Sequence, residues 1–119
     1  MRKNVLVDLS KEFAIDTIRL CEKLSENRKW IVLINQFLRS GTSIGANIRE
    51  ANYGASSADF INKMQIALKE CYESEYWLEL LKETEIIGDM PYDSIHQKCG
   101  KIRMILIATI RTVKSRNGI

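Results

Sequence analysis

The chain has one proline, one histidine and few aromatic residues, and each scarcity excludes something. A single proline, Pro91, leaves nearly every stretch free to be helical. A single histidine, His96, cannot build the two Glu-x-x-His sets of a di-iron bundle. Aromatics make up 8% of the 119 residues, so there is little to stack on unpaired bases. No apolar run approaches the roughly 20 residues of a membrane span. The basic start Met1-Arg2-Lys3 leads into an apolar stretch broken at Asp8, which argues against a secretory signal. Cys21, Cys71 and Cys99 are odd in number and far apart, a pattern of reduced thiols in a cytoplasm rather than a disulfide framework. No glycine-rich phosphate loop follows a strand, and no nucleophile elbow is present.

What remains is helical periodicity. Turn chemistry is confined to Ser25-Glu26-Asn27, to Tyr53–Ser57 and to the neighbourhood of Pro91. It divides the chain into four amphipathic segments, and short connections make consecutive segments antiparallel neighbours. The expectation is an all-α, antiparallel up-and-down four-helix bundle forming one domain over residues 1–119. Leu6, Leu9, Phe13, Ile18, Cys21 and Leu24 give the first stripe. Trp30, Phe37, Ile44 and Ala51 recur every seven residues in the second, with Ile34, Gly41 and Ile48 between them. Gly41 and Gly45 each cost about 1 kcal/mol of helix relative to alanine. Either another backbone comes close there, or the helix bends. The third segment starts at the cap Ser56-Ser57-Ala58-Asp59 and runs to Ile87, with Gly88 as its stop; Phe60, Met64, Ala67, Cys71, Ser74 and Leu78 face inward. The fourth follows Pro91, capped by Asp93 or Ser94, and buries Ile95, Cys99, Ile102, Leu106, Ile110 and Val113.

Apolar residues are left over. Ile66, Tyr76, Trp77 and Leu80 on the third segment, and Met104, Ile105 and Ala108 on the fourth, project away from the stripes. Contact between copies of the chain would bury them, as would a wide core-facing arc. Polar candidates are few. Glu75 lies beside the Cys71–Leu78 stripe and needs partners, for which Ser43 and Asn47 on the second segment are candidates, with Thr42 and Arg49. His96 and Cys99 form a His-x-x-Cys pair, too few ligands for a metal, and neither a cofactor nor a catalytic set is indicated.

Charge is unevenly spread. Residues 1–69 carry eleven basic and seven acidic side chains, residues 70–93 one and eight, and residues 94–119 six and none. An acidic third helix beside a basic fourth would cancel much of this. The other reading is an anion-binding face made by Arg39, Arg49, Lys98, Lys101, Arg103, Arg111, Lys114 and Arg116, joined by Arg2 and Lys3. Its partner would be RNA or an RNA–protein complex. The rival is a scaffold that offers the acidic third helix to a basic protein and binds no nucleic acid.

Two stretches carry a resemblance. They are Gln36–Ala51, with Ser-x-x-Ala-Asn-Ile-x-Glu at Ser43–Glu50, and Phe60–Leu78, which closes on Glu75-Tyr76-Trp77-Leu78. Together they resemble the bacterial four-helix-bundle family of 23S rRNA intervening-sequence proteins, also called the S23 ribosomal protein family. Many relatives carry proline where this chain has Gly45, so the chain resembles the glycine-bearing branch. The resemblance implies a left-handed up-and-down bundle that assembles into a homopentameric, barrel-like ring. It also brings in relatives that are accessory proteins of diversity-generating retroelements, with a basic surface for nucleic acid and a reverse transcriptase. No enzymatic activity is established for the family.

Overall fold

The first and third α-helices begin where a side chain satisfies one of the first free N–H groups. The computed structural model describes residues 4–118 and holds four α-helices. In α1 (Val5–Leu24), the Val7 N–H donates to Asn4 Oδ1 at 3.1 Å. A 3-10 turn at Arg28–Trp30 then leads into α2 (Ile31–Asn52). In α3 (Ser57–Glu83), the Asp59 N–H donates to Ser56 Oγ at 3.1 Å, the cap expected from the sequence. Helix α4 (Asp89–Arg116) starts from Gly88.

Two boundaries differ from the sequence reading, both around Pro91. Helix α3 stops at Glu83, short of Ile87. Glu85 takes a left-handed φ of 61°, the Ile86 N–H donates to the Leu81 carbonyl at 2.9 Å, and the Glu85 N–H donates to that of Lys82 at 3.0 Å. This is a Schellman ending with glutamate in glycine's usual place. Gly88 therefore opens α4 instead of closing α3. Pro91 lies inside the first turn of α4, ahead of Asp93 and Ser94, where its missing N–H would have had no helical partner.

Consecutive helices pack together and α4 closes against α1, so α1 faces α3, and α2 faces α4, only across the diagonal. All four helices share one core, in which Phe13, Phe37, Ile44, Leu78, Ile102 and Leu106 are fully buried. Each such side chain contributes about 1.5–3 kcal/mol by leaving water.

The α1 stripe is corrected by the structure. Leu6, Ser10, Phe13, Thr17 and Cys21 are buried; Ile18 is exposed, and Leu9, Leu24 and Leu20 are only partly covered. Ser10 and Thr17 fit the core because their hydroxyls bond back to their own helix, Ser10 Oγ to the Val7 carbonyl at 3.1 Å and Thr17 Oγ1 to that of Phe13 at 2.8 Å. Their small bulk meets the two glycines of α2. A Cβ on Gly41 would stand 2.7 Å from Thr17 Cγ2, and one on Gly45 would stand 3.3 Å from Ser10 Oγ. The glycine pair thus serves close approach of α1 and α2 within one chain, and α2 runs through both positions. Trp30, expected in the α2 seam, precedes the helix and is 44% exposed.

Candidate functional site

The middle of the bundle carries a belt of cross-helix ion pairs. Arg39 on α2 bridges Glu70 and Glu73 on α3, with Nη1 3.1 Å from Glu70 Oε2 and Nη2 on Glu73 Oε1. Glu73 also accepts from the Trp77 indole N–H at 3.2 Å. The Arg39 guanidinium, helped by that N–H, holds the Glu73 carboxyl below the usual carboxylate range. Lys98 on α4 meets Asp16 on α1 at 2.6 Å. Arg103 on α4 donates from Nε to Glu75 Oε1 at 2.7 Å and lies over the Tyr72 ring.

Glu75 therefore finds its partner on α4, not on α2. Ser43 Oγ donates instead to the Arg39 carbonyl at 2.7 Å, and Asn47 Nδ2 to that of Ser43 at 2.9 Å. Both satisfy themselves within their own helix, so the expected Ser43–Asn47–Glu75 contact is not formed. A long arginine reaching across the α3–α4 seam outcompetes short polar side chains with backbone carbonyls at hand.

Of the eight basic candidates, Arg39, Lys98 and Arg103 are thus tied into the bundle. Arg49, Lys101, Arg111, Lys114 and Arg116 make no ion pair among the described residues. Lys114 is partly covered and the other four are exposed. Antiparallel order places the start of α1, the end of α2, the start of α3 and the end of α4 together. Leu6, Ile48, Phe60 and Ile105 line one surface pocket there. Arg49, Arg111, Lys114 and Arg116 belong to this end, and Lys101 lies nearer the middle. Arg2 and Lys3 lie outside the described residues. Glu79, Glu83 and Glu85 belong to the opposite end, where Lys82 pairs with Asp89 at 3.2 Å.

The leftover apolar residues divide too. Tyr76 and Met104 are 53% and 66% exposed, and Ala108 is exposed. Ile66 and Leu80 are half-buried, while Trp77 and Ile105 pack against the core of their own chain. Helix α3 lies between α2 and α4, so its buried arc is wider than one stripe. Two exposed apolar patches appear beside these residues. Trp30, Val32 and Leu33 form one with Trp77 where α2 meets α3; Leu9 and Met104 line another where α1 meets α4, together with Lys98, Lys101 and Arg103. Val32, 75% exposed, was missed because it lies off the heptad stripe.

The thiols also sort themselves. His96 stacks on Tyr92, with ring centroids 4.9 Å apart. Cys21 Sγ points to the Ile34 carbonyl at 3.7 Å, and burial pushes its pKa up to about 12. Cys71 and Cys99 face each other across the α3–α4 seam at 3.5 Å. Every buried side-chain N or O among the described residues has a hydrogen-bond partner. No described helix is long and apolar enough to cross a membrane.

Comparison with known proteins places this geometry. Residues 2–108 match the model of the family described as 23S rRNA-intervening sequence protein. A crystal structure of a protein of unknown function from the S23 ribosomal protein family of Bacteroides thetaiotaomicron VPI-5482 is 52% identical. That similarity covers 89% of this chain and 98% of the other, with a TM-score of 0.86. A comparison with curated proteins gives no significant match. The chain belongs to the 23S rRNA-intervening sequence protein family.

Proposed function

We propose, for this member of the 23S rRNA-intervening sequence protein family, a non-enzymatic bundle that assembles with copies of itself and binds RNA through one basic end. One observation carries the RNA reading. Arg39, Lys98 and Arg103 in the middle of the bundle are held by carboxylates, whereas Arg49, Arg111, Lys114 and Arg116 belong to one end and have no ion pair among the described residues. Such a group suits phosphates, whose recognition is salt-sensitive and weakly dependent on sequence. An electrophoretic shift on 23S rRNA fragments at rising salt tests it; absence of a shifted band at low salt removes RNA from the account.

Self-association is supported by the two apolar patches. Around the bundle, the α2–α3 side lies opposite the α1–α4 side. Unlike patches on opposite sides favour a head-to-tail contact, which closes into a ring when the rotation allows. Five copies is the number that the family resemblance implies. Light scattering should find several chains per particle, with Met104→Glu or Val32→Glu lowering the mass. A monomer at micromolar concentration defeats this part.

The scaffold reading has less support, because Glu70, Glu73 and Glu75 are already held by Arg39 and Arg103. A protein partner whose capture survives nuclease treatment and depends on Glu79 and Glu83 would favour it. Against catalysis stands Glu75 itself: its carboxylate is engaged by Arg103.

A further inference from the structure

The α3–α4 seam holds donor atoms that the RNA reading does not use. Cys71 and Cys99 are fully buried, with their sulfurs 3.5 Å apart. Glu75 stands one helical turn beyond Cys71, and one of its oxygens lies with both sulfurs inside a 4.8 Å span. Arg103, one turn beyond Cys99, holds Glu75 Oε1 at 2.7 Å. We propose that Cys71, Cys99 and Glu75 form a binding site for one thiophilic divalent cation of the Zn²⁺ or Cd²⁺ class.

Three arguments support it. The first is geometric. Tetrahedral coordination with metal–sulfur bonds near 2.3 Å sets two sulfurs about 3.8 Å apart. The observed separation needs only a few tenths of an ångström of adjustment. Two thiolates and one carboxylate leave a fourth position for water, the ligand count of an open zinc site. The second is charge. Without metal, two neutral thiols, the Glu75 carboxylate and the Arg103 guanidinium sum to zero. With a dication, two thiolates, the carboxylate and the guanidinium again sum to zero. Uptake exchanges one M²⁺ for the two thiol protons, forming two metal–sulfur bonds and changing no oxidation state. The seam therefore never holds an uncompensated buried charge, which would be costly. The third is support and access. Arg103 fixes the Glu75 carboxylate through Oε1, the outer-shell arrangement that orients metal ligands. The side chains of Glu75 and Arg103 are 14% and 31% exposed, so the pair forms the rim between the thiols and solvent.

The test is titration of the reduced full-length chain with Cd²⁺ under anaerobic conditions, read by the thiolate-to-metal charge-transfer band and by native mass. The expected result is one ion per chain, two protons released per ion, and a thermal midpoint that rises with free Cd²⁺. Cys71→Ser with Cys99→Ser should abolish the band, and Cys21→Ser should leave it. If the double variant does not fold, Glu75→Gln at the rim should weaken binding tenfold or more in a helical protein. The proposal is overturned if the reduced wild type shows no band, or if the band survives the double variant or is lost with Cys21→Ser. It is equally overturned if the pair cycles only between dithiol and disulfide without taking up metal, or if Glu75→Gln binds as the wild type does.

Discussion

The middle of this bundle and the end where α2 and α4 finish treat the same residue types in opposite ways. In the middle, Arg39, Lys98 and Arg103 each face a carboxylate on a neighbouring helix, Ser74 donates to Ser40 at 2.9 Å, and Gly41 lies against Thr17. At the end, Lys63 pairs with Glu50 at 3.6 Å, but Arg49, Arg111 and Arg116 are exposed and Lys114 is only partly covered. A basic count along the sequence therefore overstates what is open to a partner, because the fold subtracts whatever its own carboxylates reach. The difference makes a double dissociation. Changes in the middle should cost stability and spare RNA binding; changes at the end should do the reverse.

The largest effect expected is at the end. Replacing Arg111, Lys114 and Arg116 together by Gln should weaken binding of an rRNA fragment roughly a hundredfold at low salt, near 2.7 kcal/mol. The thermal midpoint should stay close to that of the wild type, since these side chains hold no ion pair among the described residues. In the middle, Arg103→Gln leaves the Glu75 carboxylate, 14% exposed, without its cation. Chemical denaturation should show a loss of about 2 kcal/mol, with RNA affinity unchanged. Gly41→Ala comes next. Its Cβ would meet the stiff, β-branched Thr17, whose Oγ1 is committed to the Phe13 carbonyl. Overpacking of about 1–3 kcal/mol outweighs the gain of about 1 kcal/mol in helix propensity. Adding Thr17→Ala should restore most of the loss, whereas Gly45→Ala alone should be nearly neutral.

Smaller effects sharpen the same contrast. Glu85→Gly should raise stability by about 1 kcal/mol, because glycine takes the left-handed φ without strain. For the Arg39 bridge, the folded pKa of Glu73 lies below its ordinary 4.5. Its contribution is full above that pH and is lost as pH falls through the folded value. Arg39 is 48% exposed, so solvent screening keeps the contribution below about 1 kcal/mol. Glu73→Gln should flatten stability in that acid window and lower it by less than about 1 kcal/mol at neutral pH.

The helices were legible in the sequence because apolar spacing and Ser56 speak for themselves. Three things were not. The α1 core uses Ser10 and Thr17 in place of Leu9 and Ile18, since a hydroxyl bonded to its own helix is small enough to face a glycine. Pro91 reads as a helix breaker, yet it costs little in a first turn. The partners of Glu75 and of Cys71 depend on the register between α3 and α4, which no spacing within one helix records. The need of Glu75 for a partner was readable; the identity of Arg103 was not. Likewise, Trp77 looked surplus only because α3 covers a wider arc than a single stripe, and Ile105 packs against the same core from α4.

The central claim, that the end and not the belt meets RNA, is tested most directly by fluorescence anisotropy of a labelled 23S rRNA fragment across a salt series. The wild type, the Arg111–Lys114–Arg116 triple variant and an Arg39→Gln–Lys98→Gln double variant should be measured side by side. The account predicts a slope of log affinity against log salt that is shallower by roughly three in the triple variant and unchanged in the double variant. Equal slopes for the wild type and the triple variant, or a shallower slope in the double variant alone, would contradict it.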